Sequence, residues 1–191
     1  MTTGAEGVPP VTTGPAVFLD RDGVINKAVV RQGRPHPPDT LDELEILPGV
    51  AEGLQRLKTA GFALVVVTNQ PDVARGRQTA AVVAALHHAL AQQLPIDEFR
   101  VCFHDDADAC GCRKPKPGLL TRAPHYDLPH SFMVGDRWRD IEAGRRAGVQ
   151  GAILVEYGYD EALSAEPDVR LRSLLEAADW ILATVAAARD K

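Results

Sequence analysis

Apolar residues in this chain fall into two kinds of run. Short continuous runs at 16–19, 62–67, 131–134 and 151–155 have the length and character of strands buried on both faces. Between them the apolar positions recur every three or four residues: Val50, Leu54 and Leu57, then Val82, Leu86 and Leu90, then Ile141 with Ala147 nearby. That spacing predicts amphipathic helices. Residues 99–103 add a further strand, and Leu171, Leu174, Leu175, Ala178, Ile181, Leu182 and Val185 line one face of a terminal helix over 171–188. Strands alternating with helices predict an α/β fold, a parallel sheet with helices on both faces.

Two segments stand outside this alternation. Residues 1–15 are rich in Gly, Thr and Pro with almost nothing to bury, so they read as a flexible tail ahead of one domain over 16–191. Residues 31–39, with three prolines, read as a long irregular loop just after the first strand, where it could cover a site.

The bulk properties narrow the partners. A chain of 191 residues with a formal charge of −5 has no basic tract for nucleic acid or an acidic membrane surface. No apolar run approaches the roughly 20 residues that span a bilayer, and the first residues lack a signal-like pattern. These features predict a cytoplasmic monomer acting on a small molecule.

Polar chemistry follows each strand. Asp20-Arg21-Asp22-Gly23 follows the first, Thr68-Asn69-Gln70 the second, and Gly135-Asp136 with Asp140 the strand beginning near Ser131. In a parallel sheet those ends gather on one edge, so Asp20, Asp22, Thr68 and Asp136 should converge. Asp20 and Asp22 are spaced to share a side of an extended backbone, and Gly23 lets the chain turn away. Carboxylates so close repel one another, and a divalent cation relieves that repulsion. Oxygen ligands of this kind suit magnesium, which keeps several waters and bridges readily to phosphate.

Four ordered segments carry a family resemblance: Phe18-Leu19-Asp20-Arg21-Asp22-Gly23-Val24, Val67-Thr68-Asn69-Gln70, Arg113-Lys114-Pro115, and Val134-Gly135-Asp136-Arg137-Trp138-Arg139-Asp140. Together they resemble the motifs of the haloacid dehalogenase superfamily of phosphatases. The branch is the one holding the D-glycero-D-manno-heptose 1,7-bisphosphate phosphatases and the histidinol-phosphate phosphatases. Ala74-Arg75-Gly76 after Gln70, and a Cys/His cluster ahead of Arg113, are marks of that branch. The resemblance implies a three-layer Rossmann-like core without a large cap domain. It implies that Asp20 attacks phosphorus to form a phospho-aspartate and that Asp22 is the general acid and then base, which requires a raised pKa. It further implies magnesium on Asp20, the backbone carbonyl of Asp22 and Asp136, with Thr68 and Lys114 on the phosphoryl oxygens. Arg113 is then placed to read the rest of the substrate, and Asn69, Gln70 and Arg137 to line the pocket. Asp140 receives no catalytic role, since it could equally be a helix-surface residue paired with an arginine. The favoured substrate is the heptose bisphosphate, losing its 7-phosphate. Histidinol phosphate or another small sugar phosphate is the alternative.

Cys102, His104, Cys110 and Cys112 supply three thiols and an imidazole within eleven residues. Their number and softness suit tetrahedral zinc, and four protein ligands leave no open position, so the site should be structural. It would form a small zinc-bound loop that delivers Arg113 and Lys114. His87 and His88 sit on a helix whose apolar stripe is already supplied by Val82, Leu86 and Leu90, so both read as surface residues. His36 lies where it could touch substrate, while His125 and His130 carry no spacing signal. A rival from another class, a non-catalytic zinc-stabilised binding domain, would be marked by loss of Asp20, Asp22 or Lys114, and all three are present. A phosphotransferase or mutase would need a cap for which the interval from Asp22 to Thr68 leaves little room.

Overall fold

A computed structural model describes residues 14–31, 34–122, 126–157 and 164–189. The runs that read as strands form them, with small shifts: β1 is Ala16–Leu19, β4 Ala63–Asn69, β5 Glu98–Cys102, β6 Phe132–Gly135 and β7 Gly151–Val155. Together with β8, Val169–Leu171, they make a parallel sheet in the order β5-β4-β1-β6-β7-β8. The chain leaves β1 toward β4 and β5, then returns to the other side of β1 for β6, β7 and β8. β1 is thus flanked by the two directions of winding, and the crevice beyond its carboxyl end is where such sheets bind ligands.

Alternate residues of the buried strands feed two cores. Val17, Leu19, Leu64 and Val66 pack with Val50, Leu54, Leu57, Leu90 and Ile181, from α1 (Val50–Thr59), α2 (Ala80–Ala91) and α5 (Leu174–Arg189). Phe18, Ala63, Val65 and Val67 pack on the other face with Leu119, Leu120 and Ala143, from α3 (Gly118–Thr121) and α4 (Trp138–Ala147). A sheet covered on both sides must be apolar at every position, which is why its strands read as continuous runs rather than alternations. Thr79 starts α2 by accepting the N–H of Val82 (3.2 Å), and Gly148, at φ +78°, ends α4.

Four readings of the pattern change. The buried stripe of α2 is Val83, Leu86, His87 and Leu90, one position on from Val82 at its start. Leu171 belongs to β8, and the terminal helix begins at Leu174, since 169–171 are drawn into the sheet edge beside β7. Within 31–39, β3 (Arg34–His36) pairs antiparallel with β2 (Val29–Arg31), so part of the expected irregular loop is a small two-stranded sheet. Residues 1–13 lie outside the described residues, but Gly14 and Pro15 are tied to the core rather than to a tail. Their carbonyls accept the N–H groups of Asp127 (3.2 Å) and Ala63 (3.0 Å).

Candidate active site

The N–H of Asp20 donates to the carbonyl of Val134 (2.9 Å), so Asp20 sits at the last rung between β1 and β6. Gly23, at φ +88°, then closes a tight turn in which Ile25 and Asn26 donate to the carbonyl of Arg21 (2.8 and 3.1 Å). The chain comes back on itself, which keeps Asp22 at the mouth of the sheet.

Lys114 arrives from the segment after β5 and is 2 % exposed. Its ammonium has three protons and meets three acceptors: Asp20 Oδ1 at 2.9 Å, Asp140 Oδ1 at 2.5 Å and the Val67 carbonyl at 2.7 Å. Asn69 fixes its backbone, Nδ2 donating to the Lys114 carbonyl (3.0 Å) and Oδ1 accepting the Lys114 N–H (3.1 Å). Burial opposes the charge, but the carboxylates of Asp140 and Asp20 outweigh it and hold the lysine protonated, above its ordinary pKa.

One ammonium does not neutralise this site. Carboxyl oxygens of Asp20, Asp136 and Asp140 lie within 4.8 Å of one another, three carboxyl groups around a single ammonium. Burial pushes Asp20 up to about 6, an effect Lys114 only partly offsets and to which Asp140 and Asp22 add. Asp136 is driven well above the usual carboxylate range by burial and by Asp20 and Asp140. Its Oδ1 is buried without a hydrogen-bond partner. Three clustered carboxyl groups, two of them driven upward by burial and by one another, and an orphaned oxygen fit a divalent cation with hard oxygen ligands.

Asp22 is differently placed. Arg21 reaches it through Nε and Nη2 (3.1, 3.0 and 2.9 Å), Asn26 Nδ2 donates to Oδ1 (3.0 Å) and Gln70 Nε2 to Oδ2 (2.9 Å). Burial raises its pKa, but the Arg21 charge and these bonds win, and the carboxyl lies below its usual value. The expected raised pKa is therefore not a property of this structure. The donors that surround Asp22 all stabilise the charged form.

Thr68 is buried at the end of β4, its hydroxyl accepting from Gln70 Nε2 (2.8 Å). The sheet thus brings Asp20, Asp22, Thr68, Gln70, Lys114 and Asp136 into one region, with Asn69 serving the backbone of Lys114. Arg113 faces elsewhere: its Nε binds Asp106 Oδ1 (2.8 Å) and its Nη1 the carbonyl of His104 (3.4 Å). Arg137, half-buried, immediately precedes α4.

The four soft ligands also meet. Cys102 Sγ lies 3.2 Å from Cys112 Sγ and 3.7 Å from Cys110 Sγ, Cys110 and Cys112 are 3.5 Å apart, and His104 Nδ1 is 3.6 and 3.4 Å from Cys102 and Cys112. A tetrahedron with zinc–sulfur bonds of about 2.3 Å has edges of about 3.8 Å, so the spacing approaches that of a closed zinc site. The thiols form no disulfide. Burial, with Cys112 adding, pushes Cys102 up to about 12; in Cys110 burial is outweighed by bonds from the Arg113 and Cys112 N–H groups and the other thiols, giving about 7.

A family model described as haloacid dehalogenase-like hydrolase matches residues 36–148, more than half of the chain, and a second, HAD-hydrolase-like, matches 111–186. The chain belongs to the haloacid dehalogenase-like hydrolases. Among members of this family, it is 38 % identical over 187 residues to the D-glycero-beta-D-manno-heptose-1,7-bisphosphate 7-phosphatase of Escherichia coli (strain K12), covering 90 % of each chain. It is 37 % identical to the enzyme of that name from Salmonella typhi, covering 90 % of this chain and 92 % of that one. Among solved structures it resembles D,D-heptose 1,7-bisphosphate phosphatase from B. bronchiseptica, complexed with magnesium and phosphate. There the TM-score is 0.75 at 32 % identity, covering 89 % of this chain and 99 % of that one.

Two residues of this haloacid dehalogenase-like site escape a reading of the sequence. Asp140 is 2 % exposed and not on the surface; its Oδ2 accepts the Arg137 N–H (3.1 Å) while Oδ1 meets Lys114. The first turn of α4 points it inward beneath Gly135, where an added Cβ would come within 2.1 Å of Asp140 Cβ. A glycine followed five residues later by an aspartate in the first turn of a helix is the signal that could have revealed it. His87 is also buried, 8 % exposed, and its Nε2 lies 3.1 Å from Arg21 Nη1. His88 is exposed as expected, and so is His130, whereas His125 lies outside the described residues.

Proposed function

We propose that this chain is a magnesium-dependent phosphatase that removes the 7-phosphate of D-glycero-D-manno-heptose 1,7-bisphosphate through a phospho-aspartate on Asp20. That it is a phosphatase follows from its family and from relatives matched over about nine-tenths of both chains. The observation that carries the mechanism is the cluster of Asp20, Asp136 and Asp140, with Lys114 bound to Asp20 and Asp140 and Asp136 Oδ1 left orphaned.

Asp20, Asp136 and the backbone carbonyl of Asp22 would hold magnesium, with Asp140 beside them. Bound there, the ion supplies positive charge to the phosphoryl oxygens. Asp20 attacks phosphorus in line, the bond from phosphorus to the sugar oxygen breaks, and its electron pair stays on that oxygen. Lys114, giving up one of its three present acceptors, and the Thr68 hydroxyl bind the phosphoryl oxygens. Asp22 gives the departing oxygen a proton, then takes one from the water that cleaves phospho-Asp20 and frees inorganic phosphate. The low pKa of Asp22 belongs to the substrate-free site; a dianionic phosphate beside it supplies the opposing, raising influence. Gln70 holds Asp22 and Thr68 in mutual register. Arg113 and Arg137 are assigned to the remainder of the substrate, Arg113 exchanging Asp106 for it. Cys102, His104, Cys110 and Cys112 are assigned to a structural zinc, and the protein to the cytoplasm.

The deciding experiment is phosphate release with magnesium from both anomers of heptose 1,7-bisphosphate, histidinol phosphate and several sugar monophosphates. A preference in kcat/KM of roughly a hundredfold or more for one heptose anomer is expected, about 2.7 kcal/mol of transition-state discrimination. Equal and weak turnover of the whole panel would reject the substrate while leaving the chemistry.

A further inference from the structure

Arg21 carries no role in the mechanism above, yet it is fully buried and wholly engaged. Its Nε and Nη2 form a fork on Asp22, and its Nη1 points away from the reaction centre, to His87 on α2. Burying a guanidinium is expensive unless every nitrogen finds an acceptor. Asp22 serves two nitrogens and His87 the third. His87 can accept at Nε2 only as the neutral imidazole with its proton on Nδ1. Its setting agrees with that state: burial, and then the Arg21 charge, hold its pKa down to about 4. The ring is further fixed by stacking on Phe99 of β5, with centroids 4.5 Å apart and planes within 18°. Sequence separation makes the contact informative, since α2 and the β1 turn are joined here across 66 residues.

We propose that His87 is a positioning residue for the reaction: by accepting from Arg21 Nη1 it fixes the guanidinium fork, and through the fork it fixes the carboxyl of Asp22 for proton transfer. The proposal rests on Asp22 being the acid and base of a phosphatase. The chain of contacts runs from Phe99 to His87, Arg21 and Asp22, then through Gln70 to Thr68. Without the acceptor, Arg21 keeps its charge and its neighbour, but Nη1 is left buried and unpaired. The guanidinium then has reason to rotate toward another acceptor and to carry Asp22 with it.

Two substitutions separate the acceptor from the ring. His87→Phe keeps the stack on Phe99 and loses the acceptor; His87→Gln loses the ring and keeps an acceptor oxygen. The measurement is kcat/KM for two esters, a sugar phosphate that the wild type hydrolyses and 4-nitrophenyl phosphate, whose leaving group needs little help from an acid. kcat/KM covers steps through formation of the phospho-enzyme and so isolates the proton given to the leaving group. The expected result is a loss of about tenfold or more on the sugar phosphate in His87→Phe, a loss of about threefold or less on the nitrophenyl ester, and recovery of most of the loss in His87→Gln. Sugar phosphate turnover within twofold of wild type in His87→Phe, or equal losses on both esters, would overturn the proposal in favour of a packing role. Should His87→Phe fail to fold, His87→Leu fills the same space without an acceptor and is read in the same way. Wild-type hydrolysis of the nitrophenyl ester with magnesium, abolished in Asp20→Asn, tests the phosphatase reading separately from His87.

Discussion

Two clusters of metal-ligand side chains stand close together in this protein, and they are built in opposite ways. The sulfur cluster comes from one stretch, Cys102 to Cys112, and its ligands range from buried to exposed. The carboxylate cluster is gathered from the ends of β1 and β6 and the start of α4, with Asp136 and Asp140 buried and Asp20 largely so. At neutral pH a thiol with its ordinary pKa is mostly uncharged, so even with Cys110 lowered to about 7 the sulfur cluster meets less mutual repulsion than three carboxyls and needs little more than a loop of suitable length. Buried carboxylates repel, so the second cluster needs Lys114 in its midst and a rigid sheet to hold it together. The difference is the physical ground for the proposed roles: charge held against its own repulsion suits chemistry, and ligands that meet at little cost suit a structural ion. The two are joined physically: Arg113, next to Lys114, binds Asp106 of the sulfur loop, and Arg139 of α4 reaches the same carboxylate (3.3 Å).

The comparison breaks most readily at its strongest claim. Asp20→Asn should abolish turnover, by at least about a thousandfold in kcat with magnesium, because the amide cannot form the acyl phosphate. Thermal melting of the metal-free variant should be unchanged or higher, since one of the repelling charges is gone. A large fall in melting temperature would mean that the carboxylate cluster is structural after all. Next in size, Asp140→Asn should lower kcat/KM by roughly a hundredfold, by weakening both the cation site and the hold on Lys114. Full activity in this variant would return Asp140 to the passive role read from the sequence.

The sulfur cluster should behave in reverse. Cys112→Ser should lose bound zinc by elemental analysis and several degrees of melting temperature, while kcat/KM falls by only about tenfold as the loop delivering Lys114 loosens. Zinc-free wild-type protein with unchanged melting would remove the structural assignment. The smallest effect is a pH dependence. Below about 6 the metal-free Asp20 holds a proton that magnesium must displace, so binding weakens as pH falls. Above that pH no proton has to leave Asp20, and its contribution to the dependence flattens. Titration calorimetry at pH 5 and pH 7 should find magnesium weaker at pH 5, by at most about tenfold per pH unit for each proton displaced. Tighter binding at the lower pH would contradict the raised Asp20.

Much of this was legible in the chain. The continuous runs of β1, β4, β6 and β7 could be read directly because a strand covered on both faces has no polar positions to disguise it. The Cys/His cluster was equally legible, since its ligands are neighbours in sequence. β8 was not, because three residues at a sheet edge carry too little pattern to compete with the helix that follows. Asp140 and His87 were missed for a common reason. A polar residue on a helix looks like a surface residue unless its buried partner is known, and each partner, Lys114 for one and Arg21 for the other, lies far away in the chain.

The sequence by itself determined the periodicity, and hence the parallel α/β sheet, the carboxylates at its strand ends, and the soft ligands close enough to share one ion. Those are properties of local spacing. Only the tertiary structure decided which charges meet: that Lys114 lies between Asp20 and Asp140, that Asp22 is gripped by Arg21 and held low, and that His87 backs that grip. Electrostatic energy depends on distance and burial rather than on order along the chain. Two aspartates two residues apart therefore came to lie in opposite environments, one raised by its crowded, buried surroundings and the other lowered by the arginine between them.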